Sequence, residues 1–213
     1  MEQLNIFTKQ LPQKNSELFK LAFESAKKAI ENFSPKCRLI GLTRGQFSLI
    51  DLITAILEKT GSADIICCTW SAGIKDSKQM YKLKNDGNIN SFKIVTDHSY
   101  ATRQKQYAIS LTEMFGAENI ATTEIHAKFT LIKNSDYNVV IRTSMNLNAN
   151  KTCENFEIDD DKQIFAFYED FLNGGFKNMP EGFTKSNSIV NNALNTIFGD
   201  KKETENKNIN YIW

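Results

Sequence analysis

Between residues 125 and 157 lie four polar side chains whose types suit a phosphate: His126, Lys128, Ser144 and Asn146. An imidazole can attack phosphorus or carry a proton. A lysine ammonium and an amide N–H can hold non-bridging oxygens as negative charge moves onto them. A hydroxyl can donate to the same group. The spacing suggests how the chain would collect them. Ile125–Ile132 and Asn138–Thr143 are two β-rich runs around the polar stretch Lys133–Tyr137, the pattern of a hairpin. Strand side chains alternate faces, so His126, Lys128 and Thr130 are expected on one face, and Ser144 and Asn146 on one face if the chain stays extended.

In order and spacing these residues resemble the phosphodiesterase motif of the phospholipase D superfamily: His126-x-Lys128, then Ser144-x-Asn146, then the acidic Glu157. The family pattern places an aspartate where this chain has Lys133, with Asp136 near but out of register. It places a glycine before the serine where this chain has Thr143. The resemblance implies an α/β fold, a mixed β-sheet with helices on both faces. It also implies cleavage without metal or cofactor: one histidine attacks phosphorus to form a phosphohistidine, and a second protonates the leaving oxygen. This chain has a single motif. Its resemblance to single-motif members therefore implies a C2 homodimer in which each subunit supplies His126. Lys128 and Asn146 would hold oxygens, Ser144 would hydrogen-bond near the phosphate, and Glu157 would orient a histidine. Nucleic acid, DNA or RNA, is the expected substrate rather than phospholipid. The competing expectation is a degenerate module that binds nucleic acid or a protein without cleavage, because Lys133 cannot accept the hydrogen bonds of the aspartate it replaces.

The elements that would position the motif read as alternating strand and helix. The segments 36–42, 63–70, 92–96 and 120–123 are strand candidates. Helical patterns cover 46–60, 74–84 and a segment ending near Phe115, and a helix over 161–172 follows Asp159-Asp160-Asp161. Such alternation predicts a parallel sheet with helices on its faces, made mixed by the hairpin. Ligands of open α/β sheets gather at the carboxyl ends of strands. That places Arg44, Trp70 and His98 on a rim where they could contact substrate. At the start, Leu18, Leu21, Ala22, Ala26, Ala29 and Ile30 recur at helical spacing, predicting an amphipathic helix over 14–33. The expected division is an N-terminal helix in 1–35, a phospholipase D-like domain in 36–180, and a C-terminal helix with a flexible tail in 181–213. That tail ends in Tyr211-Ile212-Trp213, a plug for the body or for a protein partner.

Composition sets the remaining bounds. The 213 residues suit one domain, and a net charge of +1 neither favours nor excludes nucleic acid, since a local basic groove can sit on a neutral protein. Met1–Asn5 lacks the basic start and apolar run of a signal peptide, and no apolar run reaches the length of a membrane span. Cys37, Cys67, Cys68 and Cys153 form no C-x-x-C pair and read as reduced packing residues, so a cytoplasmic location without membrane contact is expected. Two distant histidines and no H-E-x-x-H offer no metal ligand set. There is neither a G-x-x-x-x-G-K-[ST] loop nor a G-x-S-x-G elbow.

Overall fold

The computed structural model describes residues 17–21, 24–149 and 151–175. The unbroken apolar run Ala63–Thr69 forms strand β3 at the middle of the molecule. Both of its faces are covered. Ile65 and Cys67 enter the core on one side, and Cys68 enters a second core on the other. This is the burial that a run without polar alternation requires. Around it is an eight-stranded sheet in the order β1-β2-β8-β7-β6-β3-β4-β5. The other strands are β1 (Glu17–Leu21), β2 (Arg38–Thr43), β4 (Ile89–Asp97), β5 (Ile120–Thr123), β6 (Phe129–Lys133), β7 (Asn138–Thr143) and β8 (Glu154–Asp160).

Pairing is parallel for β1–β2, β3–β4 and β4–β5. It is antiparallel for β2–β8, β8–β7, β7–β6 and β6–β3. The sheet is therefore mixed, as the pattern predicts. The helices α1 (Ala26–Ala29), α2 (Leu49–Thr60), α3 (Ile74–Asn85), α4 (Tyr100–Arg103) and α5 (Lys105–Phe115) contribute to the larger core. The helix α6 (Lys162–Gly175) packs Ile164, Phe165 and Leu172 on Val95, Phe129, Leu131 and Val140 of the opposite face. Two helix starts have a clear local cause. Asp51 accepts the Ser48 backbone N–H at 2.8 Å to cap α2, and Asp161 accepts the N–H groups of Gln163 and Ile164 to cap α6.

Three expectations need correction. Residues 17–21 are a strand, not part of a helix over 14–33, and helix survives only at Ala26–Ala29. The edge of β2 leaves a row of backbone groups that a neighbouring segment can satisfy by pairing, and apolar spacing over a few residues does not separate the two outcomes. The hairpin's first strand begins at Phe129 rather than Ile125, so His126 and Lys128 precede it. Finally, Glu154–Asp160 is a full strand between β2 and β7, where the sequence reading had only a lead into a helix. The C-terminal helix, the tail and Tyr211-Ile212-Trp213 lie outside the described residues.

The β2–β8 contact is close. A Cβ on Gly41 would lie 2.2 Å from Cζ of the Phe156 ring, which is itself fully buried. Gly41→Ala is expected to destabilise the fold by about 1–3 kcal/mol through overpacking, read as a lowered urea midpoint with an unchanged slope. An unchanged midpoint would mean that Phe156 can move aside freely.

Candidate active site

Strand direction gathers the candidate residues. At one end of the sheet lie the carboxyl ends of β2, β7, β3, β4 and β5 and the amino ends of β8 and β6. His126 and Lys128 sit just before β6, Ser144 and Asn146 just after β7, Glu154 at the start of β8, and Trp70 just after β3.

The segment before β6 has no regular structure, yet it is pegged at both ends. Ile125 and Phe129 are buried in the α6-side core, which leaves His126 exposed and Lys128 half-buried between them. The Lys128 ammonium folds back over the imidazole. Its Nζ donates to the His126 carbonyl at 2.8 Å and lies 3.3 Å from His126 Nδ1. Partial burial pushes the Lys128 ammonium below its ordinary 10.5, and the negative charge of Glu154 pulls the other way. Trp70 also lies against the imidazole, ring centroids 5.4 Å apart and planes at 48°.

Backbone pairing brings in the second half of the motif. Thr143 N donates to the Lys128 carbonyl at 3.1 Å, and Ser144 N to the Asn155 carbonyl at 3.2 Å. The Ser144 hydroxyl donates to the Glu154 carboxylate in a short hydrogen bond and accepts the Asn155 N–H at 3.0 Å. Thr143 Oγ1 donates to the Asn155 carbonyl at 2.6 Å and accepts Met145 N at 3.0 Å, turning the chain after β7. A side-chain hydroxyl thus stabilises the turn at the position where the resembling family has glycine. The Asn146 side-chain amide lies 3.3 Å from Thr69 Oγ1, which donates its proton to the Ser71 carbonyl at 2.8 Å.

The acidic residue of this cluster is Glu154. Glu157 lies three positions further along β8 and therefore on the opposite face, where it pairs with Arg142 at 2.8 Å beside the buried Asp159. His126, Lys128, Ser144 and Asn146 are brought together; Glu157 is not. Lys133 is at the far end of β6, about 17 Å from Lys128 at about 3.3 Å per residue. There it faces Glu169 and the Phe165 ring. Asp136 sits in the same distant turn, which Asn134 holds by accepting the N–H groups of Asp136 and Tyr137. The departure from the family aspartate therefore falls at the edge of the sheet away from the imidazole.

Of the rim residues, Trp70 touches His126. His98 is at the correct end but two strands away, with Nδ1 3.7 Å from the Asp97 carboxylate. Arg44 is exposed at the end of β2, three strands from β6. Sequence reasoning missed Glu154, Thr69 and Arg103, whose guanidinium carbon lies 3.8 Å from the Trp70 ring centroid. The apolar positions Phe156 and Ile158 at period two would have revealed β8, and with it Glu154 as the strand's first residue. Thr69 and Arg103 carry no local signal. Among the described residues no three His, Cys, Asp or Glu side chains cluster as a metal site, and no helix is long and apolar enough to cross a membrane. Cys153 is exposed and the other three cysteines are buried.

No protein-family model matches the chain, and no curated protein matches it. Among the solved structures that align with parts of it are two of stated identity. One is Nuc, a phospholipase D family member from Salmonella typhimurium, at 14% identity and a TM-score of 0.44, covering 67% of this chain and 95% of Nuc. The other is TrmBL2, an archaeal chromatin protein described as showing a novel mode of DNA binding, at 13% identity and a TM-score of 0.37. That alignment covers 67% of this chain and about half, 54%, of TrmBL2.

The electrostatics carry a sign that can be checked. Burial lowers the folded-state pKa of Lys128, so its charge is complete below that pKa and is lost as pH rises through it, earlier than for an exposed lysine. Glu154 opposes this, so Glu154→Gln is expected to move the titration of Lys128 further down. NMR titration of the Lys128 side chain reads it directly. A rise, or no movement, would contradict the proximity of the two groups.

Proposed function

We propose that the chain is a metal-independent phosphodiesterase acting on nucleic acid, with a phosphohistidine formed on His126 in a site shared by two subunits. The observation that carries this reading is the convergence of His126, Lys128 and the Ser144–Glu154 pair at one sheet end, two of them from the start of β6 and two from the β7–β8 side.

The chemistry follows from those groups. An incoming diester draws the Lys128 ammonium off His126 and onto a non-bridging oxygen, and the Asn146 NH2 takes a second one. An imidazole nitrogen attacks phosphorus; the N–P bond forms as the bond to the leaving oxygen breaks. That oxygen needs a proton. The described part of the chain holds no second histidine beside His126, since His98 lies two strands away. The proton donor in this reading is His126 of a second copy, brought in about a two-fold axis. In the second step the same ring takes a proton from water, the water oxygen attacks phosphorus, and the N–P bond breaks. Glu154 supplies negative charge beside Lys128 that opposes the lowering of the ammonium by burial. The alternative is a module that binds nucleic acid or a protein without turnover; Lys133, on which it drew, lies at the far end of β6.

Purified protein with chelator present is expected to cleave single-stranded DNA, duplex DNA, RNA or bis-(p-nitrophenyl) phosphate. His126→Asn is expected to lose about 10²–10⁴-fold of that rate. Binding without cleavage by the parent would restore the binding-module reading, equal rates would point to another site, and loss to the chelator would contradict the metal-free step. Glu154→Gln is expected to impair turnover more than Glu157→Gln, and Lys133→Asp to leave it within a factor of about two. The shared site adds a concentration signature: the rate per chain should fall on dilution through the dimer dissociation range followed by sedimentation. A monomer of undiminished specific activity would exclude it.

A further inference from the structure

Beyond His126 along the same sheet end, three flat groups follow one another. The imidazole meets the half-buried Trp70 indole at 5.4 Å, and the exposed Arg103 guanidinium lies over that indole at 3.8 Å. An exposed arginine is ordinarily free to swing, but this one is held by its edge. Arg103 Nε donates to Ser99 Oγ at 2.8 Å and Nη2 to the Trp70 carbonyl at 3.4 Å. Ser99 is fixed in turn by the buried Asp97, which accepts both its hydroxyl and its backbone N–H. Among the described residues no carboxylate pairs with Arg103.

We infer that the Trp70–Arg103 stack is a nucleobase subsite, on which the base next to the scissile phosphate lies flat against the guanidinium. This rests on the phosphodiesterase reading for the position of the phosphate at His126. The geometry points to a base on the face of the plane. Of the five N–H groups of arginine, one on Nε and one on Nη2 are taken by Ser99 and Trp70, which fixes the plane and leaves its Nη1 end for a backbone oxygen of the same nucleic-acid strand. What the stack leaves open is the outer face of the guanidinium plane, the surface on which bases stack in single-strand recognition. A base within a duplex has both faces covered by its neighbours. The site therefore selects single-stranded nucleic acid, or a base turned out of its helix.

The chain contains two tryptophans, Trp70 and Trp213. In the full chain carrying Trp213→Phe, Trp70 alone reports by fluorescence. The probes are a single-stranded DNA decamer, the same decamer made wholly of abasic residues, and its duplex; cleavage of bis-(p-nitrophenyl) phosphate is followed in parallel. The expected result is that the base-bearing strand quenches Trp70 and binds about tenfold or more tightly than the abasic strand. Arg103→Ala should abolish that ratio, and Arg103→Lys, which keeps the charge without the plane, should abolish it too. Equal affinity for base-bearing and abasic strands, full discrimination by Arg103→Lys, binding of duplex as tightly as single strand, or no oligonucleotide binding would each overturn the inference. Base discrimination without any diester cleavage would leave the subsite standing and remove the phosphodiesterase reading instead.

Discussion

The antiparallel ladder of β6, β7 and β8 is the constraint on which the rest depends. It fixes the N–H of Thr143 on the carbonyl of Lys128, and the N–H of Ser144 on the carbonyl of Asn155. Those bonds place a loop that precedes one strand, a turn that follows the next and the first residue of a third at the same edge. A slip of one residue in any pairing would send alternate side chains to the other face. The imidazole, the ammonium and the Ser144–Glu154 pair would then no longer meet, whatever their spacing along the chain.

Charge on the far face locks that register. Asp159 is fully buried and receives Arg38 from β2 and Arg142 from β7, and Glu157 shares the Arg142 guanidinium. Breaking a buried pair by removing one partner costs about 3–5 kcal/mol, so β8 is held between its two neighbours. Its next residue, Asp160, accepts the backbone N–H groups of Lys36 and Asn138 and aligns the ends of β2 and β7. The same strand thus carries structural carboxylates on one side and at its end, and begins with the carboxylate that faces Ser144 and Lys128.

Much of this was legible in the residues, for reasons that also explain the failures. The buried run 63–69, the capped helices and the polar turn at 134–137 each have a strong local cause, and the alternating pattern gave the mixed sheet. The type and spacing of His126, Lys128, Ser144 and Asn146 pointed to one end of the sheet, which is where they lie. Glu154 was not legible, because two glutamates three positions apart cannot be ranked without knowing that a strand puts them on opposite faces. The place of Lys133 was not legible either. Its distance from the imidazole follows from strand rise, once the strand is known to start at Phe129. Residues 17–21 show the limit of apolar spacing in a short segment, where an open strand edge decides the outcome. Arg103 depends on a contact across α4 and β3 that no local pattern records.

The central claim is that His126 carries the phosphoryl group between two displacement steps. The direct measurement is to quench a reacting mixture in alkali, where phosphohistidine survives, and to map the adduct by mass spectrometry. The account predicts a phosphoryl-linked adduct on the peptide containing His126 that disappears as turnover completes. Turnover with no adduct on His126, or with the adduct on His98 or a hydroxyl side chain, would contradict it.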